Sequence, residues 1–405
     1  MADLNQKLRE TVVHAYANAT AVKARFDKAG VAPDDIQTID DLAQLPILRK
    51  DEMVKLQQEN PPFGGFLGVD RSEVSHIFFS PGPLYEPGPA MDDAIWDVSQ
   101  QMLVDCGFSA DDTVLVSLSY HLTPAGFLFD QALQRLGCTI IPGGIGNSDL
   151  QLQMMRELGC TGYLGTPSFL MSLIRKAEEQ GLDFKQDFKV TKAIVSAEPL
   201  PPSLRQTLSD YGITVANAYG TAEFGILAVD KGDGAPLAMK LLPEPLIQLL
   251  DPETGENVAS GTPGEVVVTS FSKVYPLIRF GTGDMAVNLD PAPGQSKQEE
   301  RSMILVGRSG EAVKVRGMFV HPNQLRFAAS QVPGVAGVQA IVTRPDLKDV
   351  LTVKAVVAEA ARSEALAEGL KGAITAVCRL RVDTVEFVDA LPEGAAGMVD
   401  GREWN

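Results

Sequence analysis

The sequence predicts an α/β protein: a large N-terminal α/β domain with mostly parallel sheets and a small β-rich subdomain, followed by a small α+β C-terminal domain. Three observations predict it. Short apolar runs and helix-spaced segments alternate between residues 76 and 216. Strand-like runs separated by turn sequences dominate from about 245. The last hundred residues carry four strand-like runs and two helical ones. Alternating strand and helix signals argue for a parallel sheet covered by helices.

The elements follow in order. Residues 7–30 read as an amphipathic helix pair ending at Gly30, and residues 31–60, with Pro33 and Pro46, as short helices and turns. His76-Ile77-Phe78-Phe79 is a strand that runs into Ser80-Pro81-Gly82-Pro83. Val114 to Leu118, Cys138 to Ile141, Gly162 to Gly165, Ala193 to Val195 and Ile213 to Ala216 read as strands; helices lie between them, over 127–136, 148–158 and 204–211. Asp251-Pro252-Glu253-Thr254-Gly255 is a turn between two strands of the β-rich part. The expected domains are 1–307, with the β-rich subdomain at about 245–307, and 308–405, with a hinge near Arg308-Ser309-Gly310.

With 405 residues the chain suits two or three domains with a large core. Acidic residues outnumber basic ones 52 to 35, a net charge of −17, which argues against a nucleic-acid binder. Cys106, Cys138, Cys160 and Cys378 show no C-x-x-C spacing and read as small core residues of a reducing compartment. No secretory signal and no run of about 18 apolar residues is seen, so a cytoplasmic location without membrane association is expected. A homodimer is the default assembly.

Ligands of open α/β sheets bind beyond the C-terminal strand ends. Three loops are expected there: 80–87, 196–199 and 218–225. The first holds one Gly, one Ser and three prolines, which lack N–H groups, so it is a poor phosphate cradle and reads equally as a rigid turn. In the second, Ala197, Glu198 and Pro199 follow a strand and let a flat ring approach the backbone; a helix N-terminus carrying Glu198 is the competing reading. In the third, Ala218, Tyr219, Gly220 and Thr221 precede Glu223. Tyr219 suits purine stacking and Glu223 suits Mg²⁺; a buried Tyr and a solvated Glu form the alternative. Asp284 suits a ribose diol, or is simply a turn residue, and Arg308 suits ribose or phosphate. Lys314 and Arg316 alternate with Val313 and Val315, so one strand face offers two cations to an anionic partner such as CoA, or is simply solvated. Tyr120, His121 and Gly144 are candidates for a substrate pocket, although a lone His is more often structural.

This ordered set resembles the phenylacetate–CoA ligase branch of the adenylate-forming superfamily. The resemblance is strongest at Pro276 to Asp284 and at Lys314 to Pro322, and it includes Leu45-Pro46-Ile47, Gly165 to Ser168, and Ser196 to Pro199. It implies a large N-terminal domain and a mobile C-terminal one that rotates between adenylation and thioester formation. It also implies ATP or AMP, Mg²⁺ and CoA as cofactors and a small-molecule carboxylic acid as substrate. Carried over, Ala197, Glu198 and Pro199 contact adenine, Tyr219 stacks on it, Glu223 holds Mg²⁺, Asp284 binds the ribose hydroxyls, Arg308 approaches ribose or phosphate, and His121 gates the acyl pocket. Glu223 and Arg308 are thus the catalytic candidates.

The departures fall on catalytic positions. The phosphate loop lacks threonines and Lys, Ala222 stands where the family places a hydroxyl, and Gly310 replaces the hinge carboxylate. The catalytic Lys of the family should fall near Gly394-Ala395-Ala396-Gly397, and no Lys follows Lys371. Losing one such oriented group costs about 10² to 10³ in rate. The expected activity is an AMP-forming ligase for an aromatic or small organic acid, with CoA or a carrier-protein thiol as acceptor and an altered first half-reaction. The alternatives are a catalytically impaired nucleotide or acyl-adenylate binder, and a thioester transferase or hydrolase, for which the cysteines give no nucleophile signature.

Overall fold

The computed structural model describes residues 4–80, 84–88, 93–311, 313–315, 318–320, 322–343, 345, 349–378, 380–392 and 394–402. They divide into two compact units: 1–248 with 267–282 and 294–303, and 249–266 with 283–293 and 304–405. The boundary runs inside four strands, so the expected β-rich subdomain is divided and the expected hinge at Arg308 lies within the second unit.

The first unit opens with α1 (Leu4–Asn18) and α2 (Thr20–Ala29), closed by Gly30 in the left-handed region, and then α3 (Lys50–Glu59). β1 (His76–Ser80) and β2 (Leu84–Gly88) pair only with each other, antiparallel. After α4 (Asp93–Asp105) the alternation begins: β3 (Thr113–Val116), α5 (Ala125–Leu136), β4 (Thr139–Ile141), α6 (Ser148–Glu157), β5 (Gly162–Gly165), α7 (Pro167–Glu179), α8 (Phe184–Asp187), β6 (Lys192–Val195), α9 (Pro202–Asp210) and β7 (Thr214–Thr221). β4, β3, β5, β6 and β7 lie side by side and parallel. β8 (Gly225–Asp230) and β9 (Met239–Leu241) extend this sheet antiparallel.

Local sequence explains these elements. In α7 the Thr166 hydroxyl accepts from the Phe169 N–H and Pro167 fills the first helical position. Leu170, Leu173, Ile174 and Ala177 then fall on one face and are buried against Tyr163 and Val195. Each buried leucine contributes about 2 kcal/mol.

Four strands cross from one unit's residues to the other's: β10 (Leu246–Leu250), β11 (Pro263–Thr269), β12 (Phe280–Leu289) and β13 (Ser302–Arg308). The second unit continues with β14 (Val313–Val315), β15 (Met318–Val320), α10 (Pro322–Ser330), β16 (Val335–Thr343), β17 (Val350–Val357), α11 (Glu364–Cys378), β18 (Thr384–Val388) and β19 (Met398–Asp400). The last four strands make a sheet in the order β18-β17-β16-β19. Along β17 every second residue is buried, as expected when one face packs and the other is wet. Val353 and Ala355 share a core with Leu325 and Ala328 of α10 and Leu370 and Ile374 of α11. Among the described residues no helix is long and apolar enough to cross a membrane.

Candidate active site

Parallel pairing carries the ends of β5, β6 and β7 to one edge of the sheet of the first unit. The Ser196 hydroxyl, just after β6, donates to the Ala218 carbonyl on β7 at 2.8 Å. Glu198 accepts from the Ser168 hydroxyl at 2.8 Å and the Ser168 N–H at 3.3 Å, at the start of α7. A carboxylate there meets the positive end of the helix dipole. Ala197 between them adopts φ 67°, a left-handed conformation rare outside glycine. Two of the three expected loops therefore meet, through Ser196 and Ala218. Tyr120 and His121 follow β3 and Gly144 follows β4 at the same edge. Tyr120 donates its hydroxyl to Asp130, and burial, then this hydrogen bond, push its ionisation up. His121 is exposed.

Two expectations need correction. Segment 218–225 is not a loop throughout: β7 continues through Thr221, and only Ala222, Glu223 and Phe224 turn before β8. Pairing with β8 holds Gly220 where an added Cβ would sit 2.5 Å from the Gly225 carbonyl, so the position demands glycine. Segment 80–87 does not end a strand of the parallel sheet; it belongs to the β1–β2 hairpin. Pro81, Gly82 and Pro83 at its tip lie outside the described residues.

Glu223 is not solvated. Its side chain is 2% exposed and its carboxylate pairs with the Lys50 ammonium at 2.9 Å. Lys50 begins α3, and the segment before it is fixed by buried arginines. Arg279 donates to the Leu45 and Ala43 carbonyls, and Arg25 to those of Pro46 and Ile278. Leu48 exchanges backbone hydrogen bonds with Arg279 and Gly281. In the first unit, then, the Pro276–Thr282 motif works as a frame for the residue that pairs with Glu223.

Glu86 on β2 lines a small cleft together with Glu223, Ala222, Phe78, Tyr275 and Pro124. It is 3% exposed, and the Ser80 hydroxyl donates to one of its oxygens at 3.2 Å. Burial, then the Glu223 charge, raise its carboxyl to about 8. The Tyr275 hydroxyl accepts from Gln57, which also clamps Tyr85. Burial and the two carboxylates hold the Tyr275 phenol far above its ordinary range. Tyr120, His121 and Gly144 are not in this lining. The reading of the sequence missed Lys50 and Glu86. Their signals were a lysine just after the Leu45-Pro46-Ile47 match and a lone carboxylate in an otherwise apolar strand.

It also missed Gln151, which is buried and donates to the Gly143, Gly144 and Gly146 carbonyls while accepting from Ser117. Gln151 thereby fixes the loop that carries Gly144. Burial raises all four thiols, Cys106 and Cys378 to about 12 and Cys138 and Cys160 to about 11, so none rests as a thiolate nucleophile.

In the second unit Arg308 donates to Asp284 at 2.6 Å, and the Gly283 N–H donates to Glu265 at 3.2 Å. Gly283 has φ +77°, and an added Cβ would stand 3.2 Å from the Arg308 guanidinium. Gly283 is thus what lets Asp284 and Arg308 face each other. Ala395 and Ala396 form a turn before β19, with Ala396 accepting from Gln339. Arg326 stands near this turn: an added Cβ at Gly397 would lie 3.4 Å from one of its nitrogens. The side chain of Lys314 and all of Arg316, expected at CoA, lie outside the described residues.

A family model described as AMP-binding enzyme matches residues 92–272. The phenylacetate-coenzyme A ligase of Pseudomonas putida is 31% identical over 333 residues, 79% of this chain and 73% of the relative. That of Aromatoleum evansii is 29% identical over 364 residues, 86% and 80% of the two chains. A solved 2-hydroxyisobutyryl-CoA ligase, in an open conformation in complex with 2-HIB-AMP and CoA, matches with a TM-score of 0.81 at 21% identity. It covers 95% of this chain and 87% of that one, a likeness of fold. The chain belongs to the phenylacetate–CoA ligase family of AMP-binding enzymes and is an acid–thiol ligase.

Proposed function

We propose that the protein uses ATP to activate an aromatic or small organic acid as an acyl-adenylate and passes the acyl group to the thiol of CoA. The observation that carries this reading is the hydrogen bond that joins Ser196 to Ala218, on the strand that leads to the buried, ion-paired carboxylate of Glu223. Ala197, Glu198 and Pro199 take the adenine edge, with the ring against Tyr219 and the Ala218–Thr221 backbone. Asp284 accepts from the ribose hydroxyls and Arg308 turns its charge to ribose or phosphate. Tyr120, His121 and Gly144 line the acyl pocket, and Lys314 and Arg316 meet the CoA phosphates.

The residues present fit Mg²⁺. The Thr221 hydroxyl and one Glu86 oxygen are buried without a hydrogen-bond partner among the described residues, and both are hard oxygen donors near Glu223. Among the described residues no three His, Cys, Asp or Glu side chains form a cage. Mg²⁺ usually takes one or two protein carboxylates and keeps positions for phosphate. Bound there, Mg²⁺ neutralises phosphate charge. Lys50 lies beside Glu223 and offers a second cation to the same region.

The chain has no Lys at 394–397 and three prolines without N–H among residues 80–87, so the adenylation half-reaction is slowed. The test is a panel of aromatic and short aliphatic acids supplied with ATP and CoA, with AMP and acyl-CoA quantified. Equimolar AMP and thioester from one class of acid supports the reading. A folded protein that gives ADP, or no acid-dependent AMP across the panel, overturns it.

A further inference from the structure

We propose that Glu86 joins Glu223 as a second protein ligand of one divalent cation, so that this chain binds the metal before the nucleotide arrives. The inference rests on the adenylate reading for its biological use but not for its chemistry.

Three observations carry it. Glu86 is almost wholly buried, one of its oxygens is held by Ser80, and the other has no hydrogen-bond partner among the described residues. An orphaned carboxylate oxygen is expensive to bury and calls for a cation or a proton. Glu86 and Glu223 line the same cleft, and the cation whose charge reaches both, Lys50, is engaged with Glu223 at 2.9 Å. Two carboxylates thus face one ammonium. Thr221, two residues before Glu223, adds a buried hydroxyl without a partner among the described residues. Carboxylate and hydroxyl oxygens suit Mg²⁺ and Mn²⁺, not the softer metals.

The arrangement also answers a deficit in the chain. Pro81, Pro83 and Pro87 remove N–H donors from the segment expected to cradle phosphate. A cation held by two carboxylates supplies positive charge that the backbone there does not.

The experiment is Mn²⁺ titration of the full chain without nucleotide, followed by electron paramagnetic resonance and by calorimetry. Wild type is compared with Glu86→Gln, which keeps the shape and the Ser80 contact. One site per chain in wild type, weakened at least tenfold in Glu86→Gln, is expected. Mn²⁺ should also raise the melting temperature of wild type and not that of the variant, which controls for folding. No nucleotide-free site in wild type, or affinities within twofold of each other, overturns the proposal. Metal-free calorimetry with AMP separates the two claims. If AMP binds while Glu86→Gln leaves Mn²⁺ affinity unchanged, the cation site falls and the adenylate reading stands. If Mn²⁺ behaves as expected while AMP does not bind, the cation site stands and the adenylate reading falls.

Discussion

Replacing Glu86 by Gln should change how stability depends on pH. Burial, then the neighbouring Glu223 charge, raise the Glu86 carboxyl from 4.5 to about 8, against opposing effects of the Ser80 hydrogen bond and Lys50. In the unfolded chain the same group ionises in its ordinary range. Between the two values the folded state holds a proton that the unfolded state has lost, so stability falls as pH rises through this window. The ceiling is about 1.4 kcal/mol per pH unit, which gives about 2–3 kcal/mol between pH 6 and pH 8. Gln keeps the volume and cannot ionise, so the variant lacks this slope. Urea denaturation in metal-free buffer at pH 6, 7 and 8 measures it. Relative to wild type, Glu86→Gln should gain about 2–3 kcal/mol on going from pH 6 to pH 8. Parallel curves, with a difference that changes by less than about 0.5 kcal/mol, would refute the placement of Glu86 as a buried, charge-stressed carboxyl.

Other perturbations test the remaining links. Lys50→Met leaves Glu223, 2% exposed, without its counter-charge; a loss of about 3–5 kcal/mol is expected by urea denaturation, largely recovered in Lys50→Met with Glu223→Gln. A loss below about 1 kcal/mol contradicts the buried pair. Asp284→Ala should weaken AMP binding at least about tenfold by calorimetry, the loss of charge-assisted hydrogen bonds to the diol; unchanged affinity removes Asp284 from the site. Ala395→Lys should raise acid-dependent pyrophosphate exchange about tenfold or more if the absent cation limits adenylation. No gain with any acid counts against that explanation.

The order of elements was legible because local rules set it. Apolar runs stopped by Gly or Pro gave β3 to β7, and Gly30 and Gly137 marked the ends of α2 and α5 through their left-handed conformations. Tertiary pairing decided the rest. β7 reaches Thr221 because β8 pairs with it, and β1 leaves the parallel sheet because β2 takes its hydrogen bonds. Asp284 and Arg308 were recognisable singly; their 2.6 Å contact was not, since it depends on Gly283 and on two strands meeting. Lys50 and Glu223 are far apart in sequence, and the Arg279 and Arg25 anchors fix the segment that leads into α3, where Lys50 meets the turn after β7. Glu86 reads as one residue of the 80–87 loop until its place on β2 and its burial are known. The departures at 80–87 and 394–397 were visible in the sequence; the burial of Glu86 and the approach of Arg326 to Gly397 were not.

The most direct test of the account is ATP–pyrophosphate exchange by the purified chain across a panel of carboxylic acids. Exchange that depends on one class of acid and on Mg²⁺, and that falls at least about tenfold in Glu223→Gln, is the predicted result. Absence of acid-dependent exchange in a folded protein that binds AMP contradicts the claim that this chain makes acyl-adenylates.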